Sequence, residues 1–204
     1  MHRPLTALVS GAVGYGIGSI PVGVLVSHVA RGFDVRDQGS GSMGSTNVLR
    51  TIGPGAAAAT AALDVAKGTA AVVLVRRLGG DATGQAAAGL AAVAGHSWPV
   101  FAHFRGGRGV ATAWGALVPI SAEASLYALA GFGFGLASTQ IVSVASLAAA
   151  ASAAGGALAT RARTGNAKPL VYALPASALV IFRHSANIGR LLRHEEPRMS
   201  LRRV

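Results

Sequence analysis

Residues 109–158 restrict the fold of this sequence most strongly, because this stretch contains a single charged side chain, Glu123. A stretch so apolar indicates a membrane environment, in which each helix uses about 20 residues to cross the hydrocarbon core. The stretch is too long for two helices and predicts three short or tilted ones. Residues near 119–123 and 138–140 interrupt the apolar pattern and predict the two breaks.

The rest of the chain is also apolar and poor in charged residues. Its mean hydropathy is +0.50 and 12% of its residues are charged, whereas soluble domains carry about 25%. Further apolar runs lie at 5–29, 54–75, 84–101 and 168–183. We therefore predict an all-α polytopic membrane protein, a bundle of seven transmembrane helices with short motif loops. Residues 1–204 form one domain in this interpretation, with a flexible tail from about residue 193.

Small residues and basic residues narrow the interpretation further. The 28 glycines favour close helix packing in a bilayer, and Gly14 with Gly18 and Gly131 with Gly135 have the spacing that such contacts use. The net charge of +11 does not predict nucleic-acid binding, because the basic residues form no continuous stripe. With no cysteine, disulfides and cysteine-ligated metals are excluded.

The distribution of Lys and Arg predicts the orientation in the membrane. With seven helices and the N-terminus outside, the cytoplasmic segments hold eleven basic residues and the outer segments six. The cytoplasmic set is Arg31, Arg36, Arg50, Arg105, Arg108, Arg183, Arg190, Arg193, Arg198, Arg202 and Arg203, and the outer set is Arg3, Arg76, Arg77, Arg161, Arg163 and Lys168. We expect a multi-pass protein of the cell membrane with a cytoplasmic C-terminus.

The stretch GSGSMGSTNVLR at 39–50 combines three glycines, short polar side chains and Arg50. Glycines allow successive backbone N–H groups to face one concavity, and an arginine fork grips phosphate through two hydrogen bonds. The pattern predicts an anion-binding loop. A flexible linker between two helices has the same composition, and this alternative stays open.

The stretch GHSWPVFAHFRGGRGVAT at 95–112 places Arg108 among glycines before an apolar run. A helix that begins there favours anions at its N-terminus. The Lys-Ser/Thr pair of a nucleotide-binding P-loop is missing. His96 is either a buried structural histidine or a catalytic one. Trp98, Phe101 and Phe104 are interpreted as anchors at the membrane interface.

Two further pairs carry ionisable or polar groups. Asp64 and Lys67 lie one helical turn apart within the second apolar run, so they share a face and are able to pair. Such a pair marks either a function or a lock between helices. His184 and Asn187 share a face at the end of the last run, where the histidine is a substrate contact or an ordinary headgroup-level residue.

Five stretches in order and spacing resemble the acyl-phosphate-dependent glycerol-3-phosphate acyltransferases of the bacterial PlsY family. They are GSIPVG (18–23), GSGSMGSTNVLR (39–50), LDVAKG (63–68), GHSWPVFAHFRGGRGVAT (95–112) and RHSANIGRLL (183–192). The resemblance implies seven membrane helices, a site that faces the cytoplasm, and transfer of a fatty acyl group from acyl phosphate to glycerol 3-phosphate. The products are lysophosphatidic acid and phosphate, and neither cofactor nor metal is expected.

The resemblance also implies site residues. Three are expected to act in catalysis: Arg108, His184 and Asn187. Seven are expected to bind substrate: Ser40, Ser42, Thr46, Asn47, Arg50, Gly107 and Ser143. This chain departs from the family pattern at three positions, with Ser42 for Asn, Ser45 for Ala and Arg108 for Lys. Arginine is bulkier and stays charged, so phosphate binding is expected to survive.

Two other interpretations were weighed. The three departures keep a non-catalytic or repurposed membrane paralogue possible, one that still binds a phosphorylated polyol or a lipid headgroup. A soluble dinucleotide-binding domain built on GYGIGSIP at 14–21 is rejected, because Pro21 takes the position of the third glycine.

Overall fold

The computed structural model describes residues 6–199, and that range contains helices and no strands. Ten α-helices follow one another: α1 (Ala7–Gly18), α2 (Val22–Arg31), α3 (Ser45–Thr51), α4 (Pro54–Arg77), α5 (Ala82–Ser97), α6 (Val110–Ile120), α7 (Ala122–Thr139), α8 (Val142–Thr164), α9 (Lys168–Arg183) and α10 (Ser185–Leu192). Short 3₁₀ helices cover Val35–Asp37 and Val100–Ala102. The all-α class is therefore confirmed.

The long apolar stretch divides as its sequence predicts. Helices α6 and α7 separate at Ser121, whose side chain caps α7 by accepting from the backbone N–H of Ala124 at 3.2 Å. Helices α7 and α8 separate at Gln140, which adopts a left-handed conformation. Three segments are long and apolar enough to cross a membrane on these criteria: Ala7–Arg31, Pro54–Arg77 and Val142–Thr164. The predicted number of seven spans is not confirmed by that count.

The first apolar run does not form the single continuous helix that was expected over 5–29. Helix α1 ends at Gly18 and α2 begins at Val22, directly after Pro21. Proline lacks a backbone N–H and clashes with the preceding turn, so it ends or kinks a helix. The break exposes the carbonyl of Ile20, which accepts a hydrogen bond from Lys67 Nζ at 3.0 Å. Leu5, the first residue of the expected run, lies outside the described residues.

Small residues hold the helices close together. A Cβ atom added at Gly14 or Gly18 would lie 2.1 or 2.2 Å from the backbone oxygen of Ala88 or Ala92 on α5, so only glycine fits. Gly131 and Gly135 also lie at close contacts between α7 and α8, where an added Cβ would lie 2.3 Å from Ser152 Oγ and 2.9 Å from Ala145 Cα. Both predicted glycine pairs therefore lie at helix–helix contacts of the type found in membranes.

The outer surface of the bundle is apolar. Large aliphatic and aromatic side chains on several helices are strongly exposed, among them Leu8, Val29, Leu126 and Phe134 at 84%, 91%, 65% and 77%. A soluble monomer rarely exposes apolar patches on this scale. The buried core is built mainly from alanine and valine. This inverted distribution is typical of a bundle that is surrounded by lipid.

The two ends of the bundle differ in content. At one end, Arg163 pairs with Glu123 at 2.5 Å, and Arg76 donates to the carbonyl of Pro119. The opposite end carries the motif loops at 32–44 and 98–109, the α7–α8 turn and the α9–α10 junction. The residues that the sequence marks as candidates belong to this second end.

Candidate active site

Asn47 organises the first motif loop. Its Oδ1 accepts from the backbone N–H of Ser40 at 2.9 Å, and its Nδ2 lies within 2.8–3.0 Å of the carbonyls of Val35, Gln38 and Ser42. Asn47 is 1% exposed, so its amide is committed to folding the loop. The sequence predicted that Asn47 binds substrate. In the structure its amide is bonded to the loop backbone, so we expect Asn47 to support substrate binding mainly by holding the loop in shape.

Gly39 shows why this loop needs glycine. Its φ is +59°, and an added Cβ would lie 2.3 Å from Asn47 Oδ1. Gly41 also has a positive φ, of +70°. A larger residue at position 39 would displace the asparagine that carries the network, because L-residues rarely adopt this backbone conformation and the space is already filled.

Arg36 joins the first motif loop to the second. It pairs with Asp34 at 2.6 Å and donates from Nη1 to the carbonyls of Ala102 and Arg105 at 2.7 and 3.2 Å. The hydrogen bonds to Arg36 lower the pKa of Asp34, which keeps the pair charged. The two glycine-containing loops, far apart in sequence, are thereby held side by side.

Arg183 joins the second loop to the end of α9. Its guanidinium lies 4.9 Å above the ring of Trp98 and donates to the carbonyl of Gly107 at 3.1 Å from Nη2. Trp98 thus has a packing role in addition to its expected position at the interface, whereas Phe101 and Phe104 are exposed. The Gly107 carbonyl is occupied by Arg183 and is not available to a substrate. Gly107 therefore contributes to the site because it has no side chain, which lets the loop backbone pass close to its neighbours.

Asp64 forms a buried charge cluster that the sequence indicated only in part. Its Oδ1 accepts from Lys67 Nζ at 2.9 Å and lies 3.2 Å from Nδ1 of His96. The three side chains are 2–5% exposed. The pairing of Asp64 with Lys67 agrees with the sequence prediction, but the contact with His96, 32 residues away, required the fold.

His96 also holds the second motif loop in place. Its carbonyl accepts from the N–H of Gly107 at 3.1 Å. A Cβ added at Gly107 would lie 2.2 Å from His96 Nε2, so the imidazole and the loop backbone are in close contact. The buried-histidine interpretation of His96 therefore holds, and its side chain also lines the cavity described next.

A cavity of about 270 Å³ opens among these elements, and its two ends differ in chemistry. Hydroxyl, amide, imidazole and guanidinium groups line one end: Ser40, Ser42, Thr46, Asn47, Arg108, Ser143 and His184. Apolar side chains from α6, α7, α8 and α9 line the other, including Leu117, Leu129, Phe132, Ala153, Ala176 and Val180. The cavity is therefore amphipathic.

The N-terminus of α6 lies at the polar end. Gly109 is the residue before the helix and has a φ of +78°, with no side chain capping the first turn. Gly109, Val110 and Ala111 all line the cavity. Uncapped first-turn N–H groups and the helix dipole favour a negative charge at this position, as the sequence predicted.

Arg108 lies within electrostatic reach of three other arginines. Burial lowers the pKa of Arg108, Glu196 opposes this shift, and three further arginines add to it: Arg190, Arg50 and Arg183. Four guanidinium groups thus act electrostatically on one region with a single opposing carboxylate among the groups that influence Arg108. Such a field favours the binding of anions with more than one charge. Arg183, Arg190 and Glu196 were not recognised as site residues from the sequence.

His184 separates α9 from α10 and is 1% exposed. Its Nδ1 lies 2.8 Å from the carbonyl of Val180. Because a carbonyl only accepts, Nδ1 carries the proton and Nε2 has an available lone pair. Burial lowers the pKa of His184 to about 4, so the ring is neutral at pH 7 and able to accept a hydrogen bond.

The fold brings the predicted site residues to one end of the bundle, at different distances from the cavity. Arg50 is exposed on α3 and does not line the cavity, although its charge reaches Arg108. Asn187 is 2% exposed on α10 and is not among the residues that line the cavity. Ser143 is buried, and its hydroxyl lies beside the Glu196 carboxylate. The assigned roles of all ten residues remain predictions.

Comparison with known proteins gives the family. The sequence profile described as glycerol-3-phosphate acyltransferase matches residues 8–194. The chain belongs to the PlsY family of glycerol-3-phosphate acyltransferases. A relative of that name from Parasynechococcus marenigrum is 41% identical over 195 residues, covering 96% of this chain and 91% of the relative. Another, from Gloeobacter violaceus, is 42% identical over 206 residues, covering 98% and 97%.

Solved structures of PlsY have the same fold. The crystal structure of PlsY, an integral membrane glycerol 3-phosphate acyltransferase, in its glycerol 3-phosphate form superposes with a TM-score of 0.85 at 34% identity, covering 95% of this chain and 96% of that one. The lysophosphatidic acid form superposes with a TM-score of 0.83 at 33% identity, covering 96% of both chains. This chain is accordingly a membrane protein of the acyltransferase family.

The arginine cluster yields the first testable prediction. Arg50→Lys keeps the charge but loses the planar fork, so a residue that clamps phosphate through two hydrogen bonds should lose about ten- to a hundred-fold in transfer efficiency, equivalent to about 1.5–3 kcal/mol. Arg108→Lys restores the residue usual in the family and is expected to leave activity intact or raise it. The measurement is kcat/KM for acyl transfer by detergent-purified protein.

Arg31→Lys is the matched control, since Arg31 is exposed at the end of α2 and is expected to tolerate the change. Equal activity of Arg50→Lys and Arg31→Lys in folded protein would contradict the clamp and leave the loop at 39–50 as a linker.

Proposed function

We propose that this protein transfers a fatty acyl group from acyl phosphate to the 1-hydroxyl of glycerol 3-phosphate, which produces 1-acylglycerol 3-phosphate and inorganic phosphate. The observation that carries the proposal is the amphipathic cavity, whose cationic end continues into an apolar arm. The family and the ligands named for the PlsY crystal structures support acyl transfer to glycerol 3-phosphate. No cofactor or metal takes part in the proposed chemistry.

Each end of the cavity suits one part of the substrates. The charges of two phosphate groups require several cationic and N–H donors, which Arg108, the cluster of arginines around it and the α6 N-terminus supply. The acyl chain requires a mainly apolar surface, which α6 to α9 supply. The hydroxyls on that surface, of Ser146, Ser177 and Tyr172, donate to backbone carbonyls and are not available to a ligand. The carbonyl to be attacked joins these two parts in an acyl phosphate and would lie where polar and apolar linings meet.

The reaction needs little covalent help from the protein. The hydroxyl oxygen attacks the carbonyl carbon, the bond from that carbon to the phosphate oxygen breaks, and the phosphate leaves with the electron pair. The hydroxyl proton ends on the departing phosphate, so the products are an ester and hydrogen phosphate. Because the donor is an activated anhydride, positioning and charge neutralisation are the main contributions of the site.

His184 is the protein group best suited to assist the proton transfer. Its Nε2 is unprotonated and its ring lines the cavity, so it is able to hold the attacking hydroxyl by accepting its hydrogen. With a pKa of about 4, however, it is a weak base at neutral pH. We therefore assign His184 to orientation of the hydroxyl and the net proton acceptance to the substrate phosphate.

For the membrane topology we propose seven spans, the first formed by α1 with α2 and the others by α4, α5, α6, α7, α8 and α9. The loop at 32–44, the loop at 98–109, the α7–α8 turn and the α9–α10 junction then all fall on one side. Those are the segments that surround the polar end of the cavity, which supports an odd number of crossings. The excess of arginine on this side assigns it to the cytoplasm, with the N-terminus outside. Arg3, Arg202 and Arg203, which entered the sequence-based count, lie outside the described residues.

The identity of the donor is the second prediction. Purified protein supplied with glycerol 3-phosphate should release phosphate from palmitoyl phosphate and form lysophosphatidic acid, and it should not use palmitoyl-CoA. In the cavity, Arg108 and the α6 N-terminus serve the phosphates and the apolar arm serves the acyl chain, so none of its described lining is left to bind a CoA nucleotide. Phosphate release and lysophosphatidic acid are measured together, with palmitoyl phosphate hydrolysis in the absence of glycerol 3-phosphate as the control.

Equal rates with palmitoyl-CoA would contradict the proposed donor. Binding of glycerol 3-phosphate without transfer from either donor would instead favour the non-catalytic paralogue.

Topology gives the third prediction. A reporter fused after Val204 and a second one inserted near Gly41 should both be accessible from the cytoplasm, whereas one inserted near Gly79, between α4 and α5, should not. Accessibility is measured by labelling in intact and in opened cells. Opposite locations for the reporters at Gly41 and Val204 would mean that the number of spans is even.

A further inference from the structure

Glu196 follows the last helix in sequence, and its carboxylate lies next to Asn187 at the candidate active site. Helix α10 ends at Leu192, and the chain then turns so that the Glu196 side chain is only 6% exposed. Its Oε1 accepts from Asn187 Nδ2 at 2.5 Å, and its Oε2 accepts from Arg190 Nε at 2.7 Å. The backbone N–H of Met199 donates to the carbonyl of Gln140 at 2.6 Å, which holds this segment against the α7–α8 turn.

The carboxylate is ionised at neutral pH. Burial raises the pKa of Glu196, but hydrogen bonds from Asn187, Ser143 and Arg190 outweigh that effect and keep the pKa below its ordinary value. An ionised carboxylate only accepts hydrogen bonds. The amide of Asn187 must therefore turn its NH₂ group toward Glu196, and its carbonyl oxygen is directed elsewhere.

That carbonyl oxygen lacks a partner. Asn187 Oδ1 is buried and accepts no hydrogen bond from residues 6–199. A buried acceptor without a donor is destabilising, and such an atom at a functional site indicates a missing ligand group. Asn187 lies one helical turn after His184, whose ring lines the polar end of the cavity. The nearby hydroxyl of Ser143, which also lines the cavity, is engaged with Glu196 and not with Asn187. The missing donor is therefore expected on a substrate that binds beside His184 and Ser143.

We infer that Glu196 is a positioning residue that fixes the Asn187 amide so that its Oδ1 accepts a hydrogen bond from a hydroxyl group of the polyol phosphate substrate. A phosphate dianion has no hydrogen to donate, whereas each hydroxyl of glycerol 3-phosphate has one. The inference rests on the proposed function, because it assigns that acceptor to the same site. Glu196 therefore affects how the site recognises the hydroxyl groups of the substrate, and it does not act on the phosphate.

The chain offers a matched control next to Glu196. Glu195 has the same charge and pairs with Arg193 at 2.8 Å, but both of these side chains are about 60% exposed, at 57% and 61%. Glu195→Gln and Glu196→Gln therefore change the same charge in the same segment. Only the second allows the Asn187 amide to rotate, because a glutamine side chain both donates and accepts.

The experiment measures how tightly two analogues of glycerol 3-phosphate, one without the 1-hydroxyl and one without the 2-hydroxyl, compete with it in the transfer assay. In the wild-type protein, one analogue should bind about three- to ten-fold more weakly than glycerol 3-phosphate itself, the value of one neutral hydrogen bond. In Glu196→Gln this difference should fall to less than about two-fold, whereas Glu195→Gln should retain it.

A double variant reverses the hydrogen bond. In Asn187→Asp combined with Glu196→Gln, the donor and the acceptor exchange places and the net charge is unchanged, so an acceptor oxygen again faces the substrate. This variant should recover the discrimination between the analogues, and it provides the measurement if Glu196→Gln alone does not fold. Thermal unfolding in detergent reports on folding for every variant.

Three results would overturn the inference: full discrimination in Glu196→Gln, equal loss in Glu195→Gln, or a double variant that folds without recovering discrimination. Equal binding of both analogues and glycerol 3-phosphate by the wild-type protein would overturn it as well. Failure of the proposed function is distinguishable, since the wild-type protein would then show no transfer that depends on glycerol 3-phosphate.

Discussion

The polar end of the bundle depends on the ion pair between the buried Asp64 carboxylate and Lys67, together with the contact of Asp64 with His96. The carboxylate accepts from Lys67 on its own helix and contacts His96 at the end of α5, while Lys67 also reaches the carbonyl of Ile20 where Pro21 breaks the first span. His96 in turn holds Gly107. Removing one partner of a buried ion pair costs about 3–5 kcal/mol. The cluster therefore links α1, α4, α5 and the second glycine loop, and two of its members, Asp64 and His96, line the cavity.

Small residues provide the second constraint. Helices that pack through glycine and alanine approach closely, and the side chains that remain, such as Ala149, Ala153 and Ala176, are too short to fill the space between α7, α8 and α9. The same composition that favours association in lipid thus leaves an apolar arm beside the polar loops. Arg36 and Arg183 then hold the loops in place with hydrogen bonds to backbone carbonyls.

Much of the fold could be predicted from the sequence, because hydropathy reports directly on helices in a membrane. The breaks at Ser121 and Gln140 followed from local composition, and the Gly14–Gly18 pair followed from spacing. The break before Pro21 was missed because the run remains apolar across it. The contact of His96 with Asp64 and the return of Glu196 to Asn187 depend on tertiary structure, and no local pattern encodes them. Asn47 was recognised as part of the loop, but its four hydrogen bonds to that loop became visible only in three dimensions.

The central claim, that the apolar arm holds the acyl chain while the arginine end holds phosphate, is tested most directly by narrowing the arm. Ala153 lines it and is 8% exposed, so Ala153→Leu adds three carbon atoms where the chain would lie. We predict that the ratio of kcat/KM for palmitoyl phosphate to that for dodecanoyl phosphate falls by about tenfold or more, since each buried methylene contributes about 0.8 kcal/mol. Gly155→Leu, on the same helix with open space around it, should leave the ratio unchanged. An unchanged ratio in an active Ala153→Leu protein would contradict the account.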